Sequence, residues 1–477
     1  MSALGIAAFG AYVPRLRLDR AIIAEAHRWA MPSLKAQARG SRAFASWDED
    51  AITMAVEAAR GAIAGRAAPA ALRLASTRLP YADLHNATIV AGALDLLAML
   101  ATADVGGSQR AGTSALLQAL RGTEPTLVIA SEDPIARPGS TQELHFGAGA
   151  AAFLVTDTDV ALRLLGAASI SAPFVDHFRA AGRDTDYQWE ERWIRDEGYG
   201  RVVPAAIAAA LADAGVSIGD IQHFVMPSYL RGAAPAVAKS VRFAGTIADP
   251  LDDGVGYAGA AHALLMLAGT LETAGPGERI LLVGFGQGAD ALVLETTGHL
   301  PDARPARGVT AAIADALPTD SYLRMLSFQG GIDMDWGMRA EKSAKTALTE
   351  QYRSAGQIDA FVAGACGACG AVQFPQLQYC ANCHAPAASF SPVPLRDEPA
   401  KLLTVTADWL SYHPSPPLHV GFVQFDNGAR VQMELVDVGA GGIEVDAALR
   451  MVFRIKEHDR QRGYRRYFWK STPLGAA

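Results

Sequence analysis

All four cysteines of the chain fall in one segment, Cys366-x2-Cys369-x10-Cys380-x2-Cys383. Two C-x2-C turns can aim four sulfurs at the corners of a tetrahedron, the geometry Zn2+ takes in closed structural sites. The spacing therefore predicts a structural zinc site on Cys366, Cys369, Cys380 and Cys383, with iron as the other metal that suits such a set. Gly367 and Gly370 let the first turn bend, and His384, directly after Cys383, reads as a solvated neighbour rather than a fifth ligand. Clustered cysteines in a long chain whose start lacks a basic n-region point to a reducing compartment rather than a disulfide framework. Every thiol is thus committed to one place, and none is left to act as a nucleophile elsewhere.

The elements around this segment follow from length and pattern. A chain of 477 residues predicts two or three domains, each with its own core. Half of the residues are hydrophobic, much of that alanine. The apolar stretches near Ala205–Leu211 and Ala258–Ala268 are too short or too broken to span a bilayer, so the expectation is a cytoplasmic protein that engages no membrane. A net charge of -7 without a basic stripe weighs against nucleic-acid binding. Short β-rich runs such as Thr126–Ser131 alternate with alanine-rich helical windows such as 50–63 and 202–214, an α/β pattern. A weak repeat runs through it. The window 112–120 is echoed by 259–267, the strand-like run 126–131 by 279–284, and Phe146-Gly-Ala-Gly149 by Phe285-Gly-Gln-Gly288. Two similar halves, each ending in a glycine hairpin, predict a duplicated five-layer α/β domain.

From Ile6 to Ile332 the sequence resembles the thiolase superfamily, in particular hydroxymethylglutaryl-CoA synthases of the archaeal type. The motifs that carry this are Gly10-Ala-Tyr-Val-Pro-Arg15, the run from Asp48 to Arg60, Leu79-Pro-Tyr-Ala-Asp83, Ala87-Thr-Ile-Val-Ala91 and Gly277-Glu-Arg-Ile280. From about Met334 the chain resembles the zinc-ribbon OB-fold proteins that accompany such enzymes. The resemblance implies a thiolase-like domain at 1–333, a helical linker at 334–359 (a helical piece from Asp335 to Gln357), a zinc ribbon at 360–390 and an OB-fold domain at 391–477. In the last, segments 402–407 and 431–436 alternate like strands and Asp426-Asn-Gly428 is a hairpin turn.

The same resemblance locates the chemistry. The family's nucleophilic cysteine opens a helix reading Cys-Lys-Ala-Gly-Thr-Ala-Ala, which is Gln109-Arg-Ala-Gly-Thr-Ser-Ala115 here. Gln109 has no thiolate state, so a covalent acyl-enzyme is not expected. The family's acid Glu maps to Thr77, its catalytic His to Val225 and its loop Asn to Val255, and none of these carries an ionisable group. Tyr81, His85, His145, His223 and Tyr257 lie near the signature segments as candidate acid–base groups, with Tyr257 and His223 foremost. Lys239 and Arg242 match the family's phosphate-contacting segment and are candidate contacts for coenzyme A; a solvated helix face is the plainer reading.

Three functions follow. The first is a CoA-binding, channelling subunit that homodimerises through the thiolase-like domain and works beside a separate catalytic thiolase on acyl-CoA. The second is a non-covalent retro-aldol lyase or decarboxylase acting on a β-hydroxyacyl- or β-ketoacyl-CoA. The third, an OB-fold nucleic-acid module, rests on the basic run Lys456–Arg466 with Tyr464 and Tyr467 interleaved. The absence of a replacement for the family's catalytic groups favours the first.

Overall fold

Strands that are apolar along their whole length, such as Gly149–Thr156 with seven of its eight residues buried, need cover on both faces. The structure, a computed structural model describing residues 4–96, 99–341, 345 and 347–475, supplies that cover with helices. The chain divides into two compact units, the first formed by residues up to Gly331 apart from two short stretches. The second takes in the chain from Ile332 onward together with Trp47–Glu49 and the stretch beginning at Ile89.

The first unit is built on one ten-stranded sheet made of two equivalent halves. In the first half are β1 (Gly5–Tyr12), β2 (Ala71–Ala75), β3 (Ala101–Val105), β4 (Thr126–Glu132) and β5 (Gly149–Thr156). The second contains β6 (Leu162–Ser171), β7 (His223–Val225), β8 (Thr246–Ile247), β9 (Arg279–Phe285) and β10 (Gly288–Thr296). Their spatial orders are β1-β5-β4-β2-β3 and β6-β10-β9-β7-β8, the same order twice. The halves join where β1 meets β6 at Ile6 and Leu162. The repeat legible in the sequence is therefore a duplicated αβ layer.

Four helices complete it: α1 (Ala51–Ile63), α2 (Ala111–Leu120), α3 (Val203–Ala214) and α4 (His262–Thr273). Asp50 starts α1 by accepting from the backbone of Ile52 and Thr53 while Thr53 Oγ1 accepts from the Asp50 N–H. Such a reciprocal cap contributes about 1 kcal/mol. Helices α2 and α4 are buried almost all round, as central helices must be. Each packs against strands of both halves and against the other, so one core joins them.

In the second unit a helix at Leu348–Ile358 occupies the end of the expected helical piece; residues 342–344 and 346 of that piece lie outside the described residues. The cysteine segment forms a small antiparallel sheet in which Val362–Cys366 pairs with Val372–Gln373 and Phe390–Pro394. Five strands then close a barrel in the order Ala400–Asp408, Leu418–Phe425, Arg430–Leu435, Tyr464–Pro473 and Ala448–Asp459. The Asp426-Asn-Gly428 turn joins the second and third of these, with Gly428 at φ +91°.

Among the described residues no helix is long and apolar enough to cross a membrane. Of the basic run in the barrel, Lys456 pairs with Glu434, Arg462 with Asp459 and Arg466 with Glu457, while Tyr467 is buried.

Candidate active site around Gln109

The entry to α2 is fixed by buried polar contacts. Arg110 reaches Asp290 at 2.7 Å, and the same carboxylate accepts from Thr113, Ser114 and Ser169. Ser108 Oγ and Arg110 Nε both donate to the Gly286 carbonyl, in the glycine hairpin of the other half. With its two neighbours anchored, Gln109 points its amide at His177, Nε2 to Nε2, at 3.1 Å. The far ring nitrogen of His177 donates to Asp176 at 2.7 Å, and Gln287 donates to the other oxygen of that carboxylate. This bond fixes the neutral ring as the Nδ1–H tautomer and leaves Nε2 a lone pair, which the Gln109 amide satisfies.

Glu132, at the end of β4, closes the cluster. It is fully buried and takes hydrogen bonds from Ser76 Oγ, Thr77 N and Thr77 Oγ1. Gly259 explains how Glu132 and Gln109 share the space. A Cβ there would sit 2.7 Å from Glu132 Cγ and 2.9 Å from Gln109 Oε1, so a larger residue would push the two apart. That Gln109 oxygen is buried with no hydrogen-bond partner among the described residues; such an atom costs about 1–3 kcal/mol until something donates to it.

The electrostatics match an acid–base pair. Burial raises the Glu132 carboxyl above the ordinary value despite the Thr77 and Ser76 bonds, so it holds its proton to higher pH. For His177 burial works against the charged form, but the hydrogen bond and charge of Asp176, with Asp186 and Glu132 behind it, outweigh burial and raise the pKa. Two titratable groups and an amide with an unused acceptor thus meet at the start of α2.

The sequence alone singled out no ionisable group beside Gln109; the structure places His177 there. It lies 68 residues from Gln109 on a strand of two residues, His177–Phe178, with no periodicity to mark it. The Asp176-His177 doublet between Phe174 and Phe178 was the available signal. Thr77 serves the cluster by holding Glu132. Val225 and Val255 are fully buried core residues. His223 opens β7, two residues before Val225, and its ring is engaged by Glu278 at 2.7 Å. Tyr257 stacks among Phe146, Tyr229 and His262; burial pushes its phenol well above the usual value, so it stays protonated. His145 bonds Gln37, His85 lies against Thr88 and Thr102, and the Tyr81 backbone is held by Asn86. Lys239 and Arg242 are exposed at the end of the helix Ala233–Ser240.

The four cysteine sulfurs lie within 4.8 Å of one another. Cys366 and Cys383 are 3.7 Å apart, Cys369 and Cys380 3.6 Å. A tetrahedron with Zn–S arms of about 2.3 Å has edges of about 3.8 Å, so the donor set fits that ion. The two turns are copies of each other. Cys366 N donates to Ala371 O as Cys380 N does to Ala385 O, and Gly370 N to Cys366 O as His384 N does to Cys380 O. Gly370 and His384 both take left-handed φ, +74° and +62°. His384 is thus a turn residue, in the conformation that glycine adopts more readily.

With this geometry in hand, comparison with known proteins becomes specific. The hydroxymethylglutaryl-CoA synthase of Aeropyrum pernix is 30% identical over 360 residues, covering 73% of this chain and 96% of the relative. That of Methanocella arvoryzae is 30% identical over 342 residues, covering 67% and 97%. Among solved structures, MvaS in complex with 3-hydroxy-3-methylglutaryl coenzyme A superposes with a TM-score of 0.55 at 18% identity, over 69% of this chain and 92% of that one. No family model matches the chain. The fold is that of the thiolase superfamily. Within it, the chain belongs to the hydroxymethylglutaryl-CoA synthase family.

Proposed function

We propose that the chain binds an acyl-CoA thioester in its first unit and makes or breaks a carbon–carbon bond beside the thioester without a covalent acyl-enzyme. The observation that carries this is Gln109 bonded to a histidine that Asp176 orients, with Glu132, its carboxyl raised by burial, alongside. In the cleavage direction the β-hydroxyl displaces the Gln109 amide from His177 Nε2, which takes the hydroxyl proton; the Cα–Cβ electron pair passes to the thioester as an enolate, and a carbonyl compound leaves. Glu132 returns a proton to Cα, and no oxidant or reductant is needed. Asp176 holds the ring in place through Nδ1, and the Gln109 amide, freed from Nε2, offers its oxygen to a donor on the substrate. A β-ketoacyl-CoA decarboxylase would use the same pocket.

Relatives named as hydroxymethylglutaryl-CoA synthases and the neighbour bound to a coenzyme A thioester support the ligand class. In the second unit, Cys366, Cys369, Cys380 and Cys383 would hold structural zinc in a ribbon, and the barrel is read as an OB fold; the boundaries fall near 333, 359 and 390. The cytoplasm suits reduced thiols in such a site.

The test is the purified chain with β-hydroxyacyl-CoA substrates. Cleavage is expected with no acyl adduct by intact mass, and His177→Ala should reduce it about 10²–10⁴-fold. A channelling subunit is the second reading, favoured by Thr77, Val225 and Val255 at the family's catalytic positions. It requires that the isolated chain turn over nothing until a cysteine-bearing thiolase is added.

A further inference from the structure

The hairpin between β9 and β10 carries a residue whose backbone and side chain ask for different things. Gln287, at its tip, has φ +46°, in the left-handed region that glycine enters more readily than a residue with a Cβ. Both neighbours are glycines that are clamped in place: a Cβ on Gly286 would lie 2.6 Å from Ser108 Oγ, and one on Gly288 1.9 Å from the Ile170 carbonyl oxygen. The tip is closed by Gly286 N donating to Gly288 O and held from outside by Ala172 N donating to Gln287 O. None of these bonds uses the Gln287 side chain. The turn therefore has no need of it, and a third glycine would suit the backbone better.

The side chain goes to the acid–base cluster instead. Gln287 Nε2 donates to Asp176 Oδ1 at 3.2 Å, while Asp176 Oδ2 accepts from His177 Nδ1 at 2.7 Å. Asp176 is 5% exposed, so solvent does little to fix its carboxylate. The chain around His177 is tied down by two crossed arginines, Arg179 donating to the Thr77 carbonyl and Arg78 to the Asp184 carbonyl. Those contacts hold the backbone and do not touch the Asp176 carboxylate. A backbone cost kept beside a functional cluster, with a side chain that serves only that cluster, is the pattern of strain retained for function.

We propose that Gln287 is a positioning residue for the base: by holding the outer oxygen of Asp176 it fixes the carboxylate plane, and through it the Nδ1–H tautomer and the aim of the His177 ring. This rests on the reading of His177 as the base of the cluster and adds the residue that orients it. One hairpin then braces both partners, since the Gly286 carbonyl anchors Ser108 and Arg110 on either side of Gln109.

The test compares Gln287→Gly and Gln287→Asn in the full chain. Both residues accept a left-handed φ, and Asn is one methylene too short to keep the bond to Asp176. Nitrogen NMR of histidine-labelled protein at alkaline pH, with His177→Ala to assign the signal, reads the tautomer without any substrate. The wild type should show the Nδ1–H form alone, and both variants a mixture with Nε2–H. With 3-hydroxybutyryl-CoA as the probe, kcat should fall about tenfold or more at unchanged KM. The thermal midpoint of Gln287→Gly should stay level or rise, because the strained φ is relieved. A side chain that merely braced the turn would lower the midpoint and leave the tautomer alone. An Nε2–H ring in the wild type, an unchanged tautomer in both variants, or loss of folding in both overturns the proposal. So does an active wild type whose kcat neither change affects. If the wild type cleaves nothing while the tautomer shifts as described, the lyase reading falls and the positioning role stands.

Discussion

Two buried polar clusters in this chain are built on opposite terms. In the second unit, Lys470 is 1% exposed and lies 3.0 Å from Asp48 and 2.7 Å from Glu434, with the Trp47 ring 4.2 Å from its ammonium. Arg454, fully buried, reaches Glu49 and Asp437 at 3.1 and 3.0 Å. Here every charge faces its opposite. Burial alone would raise Glu434, but Lys470, the His413 bond and Lys456 outweigh it and pull its carboxyl down to about 2. Around Gln109 the carboxyl runs the other way, with Glu132 raised by burial and an amide oxygen without a hydrogen-bond partner among the described residues. A cluster whose charges are paired locks a structure, whereas one with an amide oxygen lacking a donor and a carboxyl raised by burial is prepared to meet something else.

The contrast breaks first, if at all, at Lys470. Replacing it by Met removes the nearest cation from buried Asp48 and Glu434, leaving Arg454 at 3.9 Å from the one and Lys456 at 3.6 Å from the other, and urea unfolding should show a loss of about 3–5 kcal/mol. Under the same assay His177→Ala should cost less than about 1 kcal/mol, even though it removes turnover. Similar losses from the two changes would end the distinction.

Acid titration sharpens it. Because the folded pKa of Glu434 is depressed, its contribution is complete above the unfolded carboxylate value and is lost as pH falls through about 2. The contribution is on the order of 3 kcal/mol. Lys470→Met should flatten that acid limb, and a limb of unchanged depth would show that other groups carry it.

The smallest effect is expected at His177. Its folded pKa lies above the ordinary 6.5, so the stability it adds is complete below the unfolded value and disappears as pH rises through the folded one. The stability gap between wild type and His177→Ala should therefore close across that interval, by less than about 1 kcal/mol. The rate should rise over the same interval, since only the neutral ring is a base. NMR titration of the His177 ring reporting a pKa at or below 6.5 would contradict both.

What the sequence revealed depended on distance along the chain. The capped helix at Ala51–Ile63, the Asp426-Asn-Gly428 hairpin and the two cysteine turns rest on contacts within a few residues, and each was legible. The duplicated α/β layer was legible too, because its signal is repeated. The acid–base cluster was not. Gln109, Glu132 and His177 come from the start of a helix, the end of a strand and a two-residue strand in an irregular stretch. No local pattern joins them, and reading along the family's motifs drew attention to Tyr257 and His223 instead. Nor could spacing show that Arg78 and Arg179 face each other, since each is held by a carbonyl in the other's segment.

The hairpin of the second half that anchors Ser108 has a kinetic consequence. Its carbonyl and the serine are 178 residues apart, and Gln287 from the same hairpin holds Asp176 from 111 residues away. Closing contacts of such span is slow relative to forming local turns and helices. Neither half can complete the cluster alone, so the amide and the imidazole come into register only after both halves have docked. Regain of the His177 environment during refolding is accordingly a clock for the last step of assembly, not for the collapse that precedes it.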